Sequence, residues 1–448
     1  MKIQRYPRMA RVSSDAWLNE LPSHWDFRPV RRLGVLKSGT GFPPAEQGTT
    51  AEELCFYKVN ALGQSEGAWY LQSCSDTVSR RTATRLGAFV FPEDTVVFAK
   101  VGAALLKGRI RLTPSPACLD NNLMGFMRSQ GQLHTPFLKY AFGLLRFDLL
   151  ANPGAVPSIN AGDVGAVSLP VPPHEEQVAI ARFLDHETAR IDALIAKQER
   201  LIELLDEKRV SLISDVATRG LNPTTILKHS GVPWFGKVPE HWKVAGFRHY
   251  LSSEVDYRGR TPTKVSEGIL LLTARNIRNG RVDYEASQEF IDPGEYEQVM
   301  SRGAPEIGDV LFTTEAPLGQ VANVDRTDVA LAQRIIKVRG VRDVLDNIFL
   351  KYLMMSRQFQ ASLMTYATGS TALGIKAERL SYLRVLVPPM AEQREIVRHL
   401  DAALPKIDAL VQKARTMIHL LLERRAALIS GCVTGQVDVR GWHQTGAY

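Results

Sequence analysis

One 47-residue stretch occurs twice in this chain, and the rest must fold around that fact. Pro172–Thr218 returns 216 residues later as Pro388–Thr434, and the copies agree at 22 of 47 positions without a gap. Shared blocks are Pro172-Pro173 with Pro388-Pro389, Glu176-Gln177 with Glu392-Gln393, and Leu184-Asp185 with Leu400-Asp401. Further along come Ile191-Asp192-Ala193-Leu194 with Ile407-Asp408-Ala409-Leu410, and Leu212-Ile213-Ser214 with Leu428-Ile429-Ser430. Apolar residues step by threes and fours through Ile180, Leu184, Ile191, Leu194, Leu201, Leu205 and Leu212. The second copy repeats this in Ile396, Leu400, Ile407, Leu410, Met417, Leu421 and Leu428. Sustained over several heptads, such a stripe predicts a long coiled-coil helix. Roughly 40 helical residues reach about 60 Å. Each stripe needs a partner, and the simplest one is the other copy, antiparallel to it. Pro405 replaces Ala189 inside the pattern and crowds the carbonyl of Asp401, which predicts a break or kink after Leu400-Asp401.

At 448 residues the chain exceeds one ordinary core, so two domains plus helices are expected. It is 45% hydrophobic and 23% charged, a globular composition, and its net charge of +8 favours an anionic partner. No apolar run approaches a membrane span and the N-terminus has no apolar core of a signal peptide, so a cytoplasmic protein without membrane contact is expected. Cys55, Cys74, Cys118 and Cys432 lack metal-site or disulfide-framework spacing.

Taken in order, residues 1–20 form a basic arm and 21–173 a first domain that opens at Pro22-Ser23-His24-Trp25. Residues 174–220 are the first helical stretch and 221–237 a linker. A second domain, 238–389, opens at Pro239-Glu240-His241-Trp242, and 390–435 and 436–448 are the second helical stretch and a tail. The strand-rich Gly87–Val101 corresponds to Pro305–Glu315, with Glu93-Asp94-Thr95 standing where the second domain has Gly308-Asp309-Val310. Between shared ends the middles differ. The first carries Lys37, Thr40, Lys100, Lys107, Arg109, Asn121 and Asn122. The second carries Arg258, Arg260, Thr261, Arg275, Asn276, Arg278, Gln333 and Arg334. Lys and Arg can bridge phosphates, Arg can read guanine edges, and Asn and Gln can pair with adenine edges.

The Pro-Pro pairs at 43–44, 172–173 and 388–389 follow Phe42, Val171 and Val387, which is not the element an adenine methyltransferase needs. No G-x-x-x-x-G-K-[ST] loop is present for ATP. His174-Glu175 and His186-Glu187 do not continue as H-E-x-x-H, so they read as polar helix pairs rather than metal ligands. Asp185, Asp192, Asp401 and Asp408 read as caps or contacts with the partner helix. No catalytic residue and no metal site is expected.

Together these residues resemble the DNA-specificity subunit of a type I restriction-modification enzyme, over about residues 20–435. The series Pro-Pro-x-x-Glu-Gln…Leu-Asp…Ile-Asp-x-Leu…Glu-x-Arg…Leu-Ile-Ser, present twice, carries the resemblance. It implies α/β (α+β) target-recognition domains, two copies in a pseudo-two-fold arrangement, joined by two long antiparallel coiled-coil helices. It also implies that each domain binds one half of a bipartite double-stranded DNA target. Two modification (methyltransferase) subunits would dock on the helices, and restriction (translocase/nuclease) subunits would complete the complex. S-adenosylmethionine, ATP and Mg would belong to those partners, with none in this chain. A stand-alone DNA-binding or coiled-coil scaffold protein is the alternative; a single-chain methyltransferase or nuclease fits the missing motifs less well.

Overall fold

The repeated stretch folds as two uninterrupted helices, α1 (His174–Arg219, 46 residues) and α2 (Met390–Val433, 44 residues). The computed structural model describes residues 5–12, 17–64, 68–72, 74–129, 131, 133–152, 154–258, 262–369 and 373–442. Prolines stop the backbone just before each helix. Glu175 and Glu176, or Glu392, sit in the first turn, where the helix dipole favours acids. Past the end of α1, Gly220 takes the left-handed conformation (φ +77°) that closes helices. The expected break at Pro405 does not occur, and α2 runs through it. Leu400 and Ile407 anchor the helix on both sides, and Pro405 lies on the exposed side, where a freed carbonyl is not stranded among apolar groups.

The chain divides into two compact units, Met1–Ala196 with Ile418–Tyr448, and Lys197–Met417. Each unit holds one domain, the nearer stretch of the helix that follows it, and a stretch of the other long helix. In the first unit Asp192 accepts from Arg425 (Nε to Oδ1, 2.9 Å). In the second, Arg209 meets Asp408. These are the same two repeat positions with donor and acceptor helices exchanged. The two long helices are antiparallel. In the second unit the seam is Leu205, Ile407 and Val411, flanked by Ile202, Leu212 and Leu404.

The expected stripe divides into a buried and an exposed part. Ile180, Leu184, Ile191, Leu205, Ile396, Leu400, Ile407 and Leu421 are buried, and Leu212 and Leu428 half-buried. Leu194, Leu201, Leu410 and Met417, however, are 42–48% exposed and lie outside the seam. At about 100° per residue, Leu194 and Leu201 sit about 60–80° around the helix from Ile191. A 3.5-residue reading followed them, whereas a straight helix turned them away.

Each domain is built on a four-stranded antiparallel sheet. In the first the strands are β1 (Gly34–Ser38), β2 (Val96–Ala99), β3 (Ile110–Leu112) and β4 (Leu123–Arg128), in the order β1-β4-β2-β3. In the second they are β5 (Leu251–Asp256), β6 (Val310–Thr313), β7 (Val321–Asn323) and β8 (Ile335–Gly340), in the matching order β5-β8-β6-β7. The registers match too. Val96 lies opposite Leu112 and Phe126, and Val310 opposite Asn323 and Val338. Beside each sheet a short strand pairs in parallel, Leu54–Tyr57 with Ala117–Leu119 and Ile269–Leu272 with Val329–Leu331.

This register moves one sequence equivalence by a residue: Asp94 (φ +62°), not Glu93, matches Gly308 (φ +87°), and Thr95 matches Asp309. Asp94 N–H donates to Thr113 as Gly308 N–H donates to Val324. Buried Asp309 accepts from Arg339 at 2.6 and 2.9 Å and lies 3.3 Å from the Lys337 ammonium. The first domain has Thr95, Gly125 and Met127 at those three places. Thr113 and Thr95 there donate to the carbonyl of Pro92, and Phe91 covers Gly125.

The repeated motifs meet where each domain seats on its own helix. Glu176 accepts from Trp25 Nε1 (2.9 Å) and Tyr6 (2.8 Å) and lies 2.7 Å from the His24 imidazole. Burial, followed by the neighbouring carboxylate, pushes the Tyr6 phenol well up, so it stays a donor. Glu392 likewise accepts from Trp242 Nε1 (2.8 Å) and sits 2.5 Å from His241. Gln177 accepts from the N–H of His134 and donates to Pro172, while Gln393 accepts from that of Asp346 and donates to Pro388. Asp185 and Asp401 also face their domains rather than the opposite helix. Lys139 and Tyr140 reach the first at 2.6 Å, and Tyr352 reaches the second. Only Asp192 and Asp408 of those four contact the partner helix.

Candidate nucleic-acid interface

In antiparallel sheets of this order, the C-terminal ends of β1 and β2 share one end of the sheet with the starts of β3 and β4. The first domain's basic and amide residues gather there. Lys100 follows β2 and its N–H donates to the carbonyl of Asn122, just ahead of β4; its ammonium reaches Ser38 Oγ at 3.2 Å. Thr40 bridges Asp120, and its hydroxyl reaches the Gly87 carbonyl at 3.4 Å. Gly39 is obligatory here, because a Cβ would lie 2.0 Å from the Asp120 carbonyl. Buried Asp120 holds the turn by accepting from Asn122 N–H, and burial pushes its carboxyl up. Lys107 and Arg109 lie in the β2–β3 connection at the same end, Lys107 exposed and Arg109 half-buried. Lys37, on β1, rests its ammonium 3.8 Å from the Phe89 ring centre.

The second domain presents the matching end of its sheet. Thr314 N–H donates to the carbonyl of Arg334, as Lys100 does to Asn122. Arg258 stands in register with Thr40, Gln333 with Asn121, and Arg334 with Asn122. Arg275 follows the parallel strand and shares an open cleft with Gln333, Arg334, Thr273 and Lys264. Two carboxylates temper it: Glu315 is 2.9 Å from Arg334 and Glu289 is 2.8 Å from Lys264. Lys264, Arg334 and Glu315 are about half exposed, and exposed pairs are worth about 0–1 kcal/mol, so an incoming anion can displace them.

Two of the expected contact residues have partners within the domain. Asn276 is fully buried; its amide donates to the carbonyls of Asp283 and Ser287 while its oxygen accepts from Thr273. Its chemistry is spent on holding the loop that presents Arg275. Arg258 is clamped by Asp256 (Nη2 to Oδ2, 2.6 Å) and by the Ile375 carbonyl, which leaves a third of its side chain exposed. Arg278 is exposed and donates to the Arg275 carbonyl, bracing the same loop. Arg260 and Thr261 lie outside the described residues. Sequence reasoning missed Asn60, exposed at the place matching Arg275, and Lys264 at the cleft. Asn60 was findable: Tyr57 and Leu272, which end the two parallel strands, are 215 residues apart, close to the repeat offset.

Among the described residues, no group of three or more His, Cys, Asp or Glu side chains could hold a metal ion, and no helix is long and apolar enough to cross a membrane. The arrangement offers hydrogen bonds and positive charge on two matched surfaces.

A family model described as the type I restriction modification DNA specificity domain matches residues 25–204 and 287–415. The chain is 24% identical over 296 residues to the type I restriction enzyme MjaVIII specificity subunit of Methanocaldococcus jannaschii, covering 64% of this chain and 65% of that protein, just under two thirds of it. To the type I restriction enzyme EcoKI specificity subunit of Escherichia coli K12 it is 20% identical over 436 residues, 94% of this chain and 91% of that one. Its fold matches a chain solved in a study of complex assembly and conformational transition of the type I R-M system, with TM-score 0.70 and 15% identity over 93% of this chain and 99% of that one. The HsdS subunit from Thermoanaerobacter tengcongensis matches with TM-score 0.50 and 16% identity, over 93% and 98%. The chain belongs to the type I restriction modification DNA specificity domain family.

Proposed function

We propose that this chain gives a type I restriction-modification complex its bipartite DNA specificity, residues 21–173 reading one half-site and 238–389 the other. The observation that carries this reading is the register match of the two sheet ends, each loaded with Lys, Arg, Asn or Gln. One scaffold with two different polar surfaces suits two different short sequences, with base edges supplying specificity and phosphates register. The antiparallel helices hold the half-sites a set distance apart. The exposed Leu194, Leu201 and Leu204 on α1, and Leu410, Met417 and Leu420 on α2, suit docking of the two modification subunits, since apolar residues at these repeated positions are left uncovered by the chain itself. S-adenosylmethionine, ATP and Mg act in the modification and restriction subunits, in the cytoplasm.

The purified chain, free of partners by mass spectrometry, is expected to show no methyl transfer and no cleavage with S-adenosylmethionine, ATP and Mg supplied. Co-expression with a modification subunit should restore methylation of adenine. Methyl incorporation by the chain alone would overturn the assignment, and failure to co-purify with any methyltransferase-type subunit would favour a stand-alone DNA-binding protein.

A further inference from the structure

The matched registers allow the two domains to be compared position by position. At one exposed position beside the parallel pair the side chain changes while the backbone pairing does not. Tyr57 ends the parallel strand of the first domain opposite Leu119, and Leu272 does the same opposite Leu331. The N–H of Asp120 donates to Tyr57, and that of Ala332 to Leu272, both at 2.9 Å. Three residues on stand Asn60 and Arg275, both exposed, each at the first turn after the strand. That turn is fixed the same way, Ala61 N–H donating to Lys58 and Asn276 N–H to Thr273, both at 3.0 Å. Across the parallel pair the neighbours are Asn121 and Gln333, amides in both domains. So the strand pairing, the turn hydrogen bond and the facing amide are shared while the side chain between them is exchanged.

We infer that position 60/275 is a base-identity position: Asn60 reads an adenine in the half-site of the first domain, and Arg275 reads a guanine in that of the second. This rests on the proposal that each domain reads one half-site. An Asn amide offers one donor and one acceptor, the complement of adenine N7 and N6. A guanidinium offers two parallel donors, the complement of guanine O6 and N7. Arg275 is held out for this. Its own carbonyl accepts from Arg278 Nε at 2.9 Å, and buried Asn276 locks the loop from beneath. The neighbouring cations of the cleft face carboxylates, Arg334 with Glu315 and Lys264 with Glu289.

The test uses the complete chain assembled with its modification subunits, and maps methylated adenines in a library of random DNA. Arg275→Ala should relax discrimination at one G·C pair in one half-site, about 5- to 150-fold, and leave the other half-site unchanged. Arg275→Lys keeps the charge and loses the fork, so it should relax the same pair while preserving the salt dependence of binding. Asn60→Ala should relax one A·T pair in the other half-site. Uniform weakening by Arg275→Ala across all sequences, with a shallower salt slope, would make Arg275 a phosphate contact and overturn the inference. So would relaxation at an A·T pair. A wild-type target that is not bipartite would instead remove the domain-by-domain reading, an outcome separable from these because it appears before any substitution. Both residues are exposed, and an unchanged thermal midpoint in each variant confirms that the fold is intact.

Discussion

Asp309→Asn should cost the second domain about 3–5 kcal/mol, the usual effect of removing one member of a buried ion pair. Asp309 is 1% exposed and the Lys337 side chain 3%. The substitution keeps the shape and removes the charge that both Arg339 and Lys337 face, leaving a buried ammonium that donates to the neutral Ala304 carbonyl at 2.6 Å. Burial alone would push the Asp309 carboxyl up, but the Arg339 guanidinium, the Glu306 N–H and Lys337 outweigh it and hold it below the usual carboxylate range. A carboxylate held low contributes stability that is complete above its unfolded pKa, about 4, and is lost as pH falls through the folded value. The loss from Asp309→Asn should therefore be the same at pH 6 and pH 8 and shrink in stronger acid. Urea titration of the whole chain, followed by tryptophan fluorescence, measures it. The first domain has Thr95 at this place, so its transition should stay where it is. A change below 1 kcal/mol would show that the ion network does not hold this sheet together.

Four residues added to each long helix should move the preferred target to a longer spacer. Within the second unit Arg209 meets Asp408, and counting along the antiparallel helices from that pair sets the point after Arg200 against the point after Thr416. Insertion at both points keeps the flanking pairs matched. It adds about 6 Å of rod and about 40° of rotation. DNA rises about 3.4 Å per base pair, so the spacer should grow by one or two pairs, and two pairs turn the duplex by roughly 70°. The residual mismatch of about 30° should lower affinity without abolishing activity. A single insert near Val216-Ala217 would be a poor substitute, because both residues are buried in the core that holds Trp242. Selection from a library of spacer lengths decides the matter. An assembled complex that keeps the original spacer would show that the helices do not set the distance.

Much of this architecture could be read in the residues themselves. The 216-residue repeat announced both helices, and the His-Trp and Glu-Gln landmarks proved to be two halves of one contact, Trp25 with Glu176 and Trp242 with Glu392. Other parts were hidden for physical reasons. Loop lengths shift the offset between equivalent positions from 218 at Thr40 and Arg258 to 212 at Asn122 and Arg334, so an ungapped comparison loses the sheet ends. The sheet cores also diverged in concert: Asp309, Lys337 and Arg339 against Thr95, Gly125 and Met127. Each set satisfies itself, so no single residue signals the match. Burial separated Asn276 from Arg275, which a string of letters cannot do. Likewise the exposure of Leu194 and Met417 depends on a rotation of the helix too small to show in a heptad pattern.

The most direct test of the central claim is an exchange of residues 238–387 for the corresponding region of a homologous specificity subunit with a known, different target. The cut at Val387 lies at the end of the last strand, next to Pro388, and the cut at Val238 lies just ahead of Trp242, so both spare the long helices. Methylated adenines are then mapped in DNA modified by the assembled hybrid complex. One half-site should become that of the donor while the other half-site and the spacer remain those of the parent. A change in both half-sites together, or in neither, would contradict the assignment of one half-site to each domain.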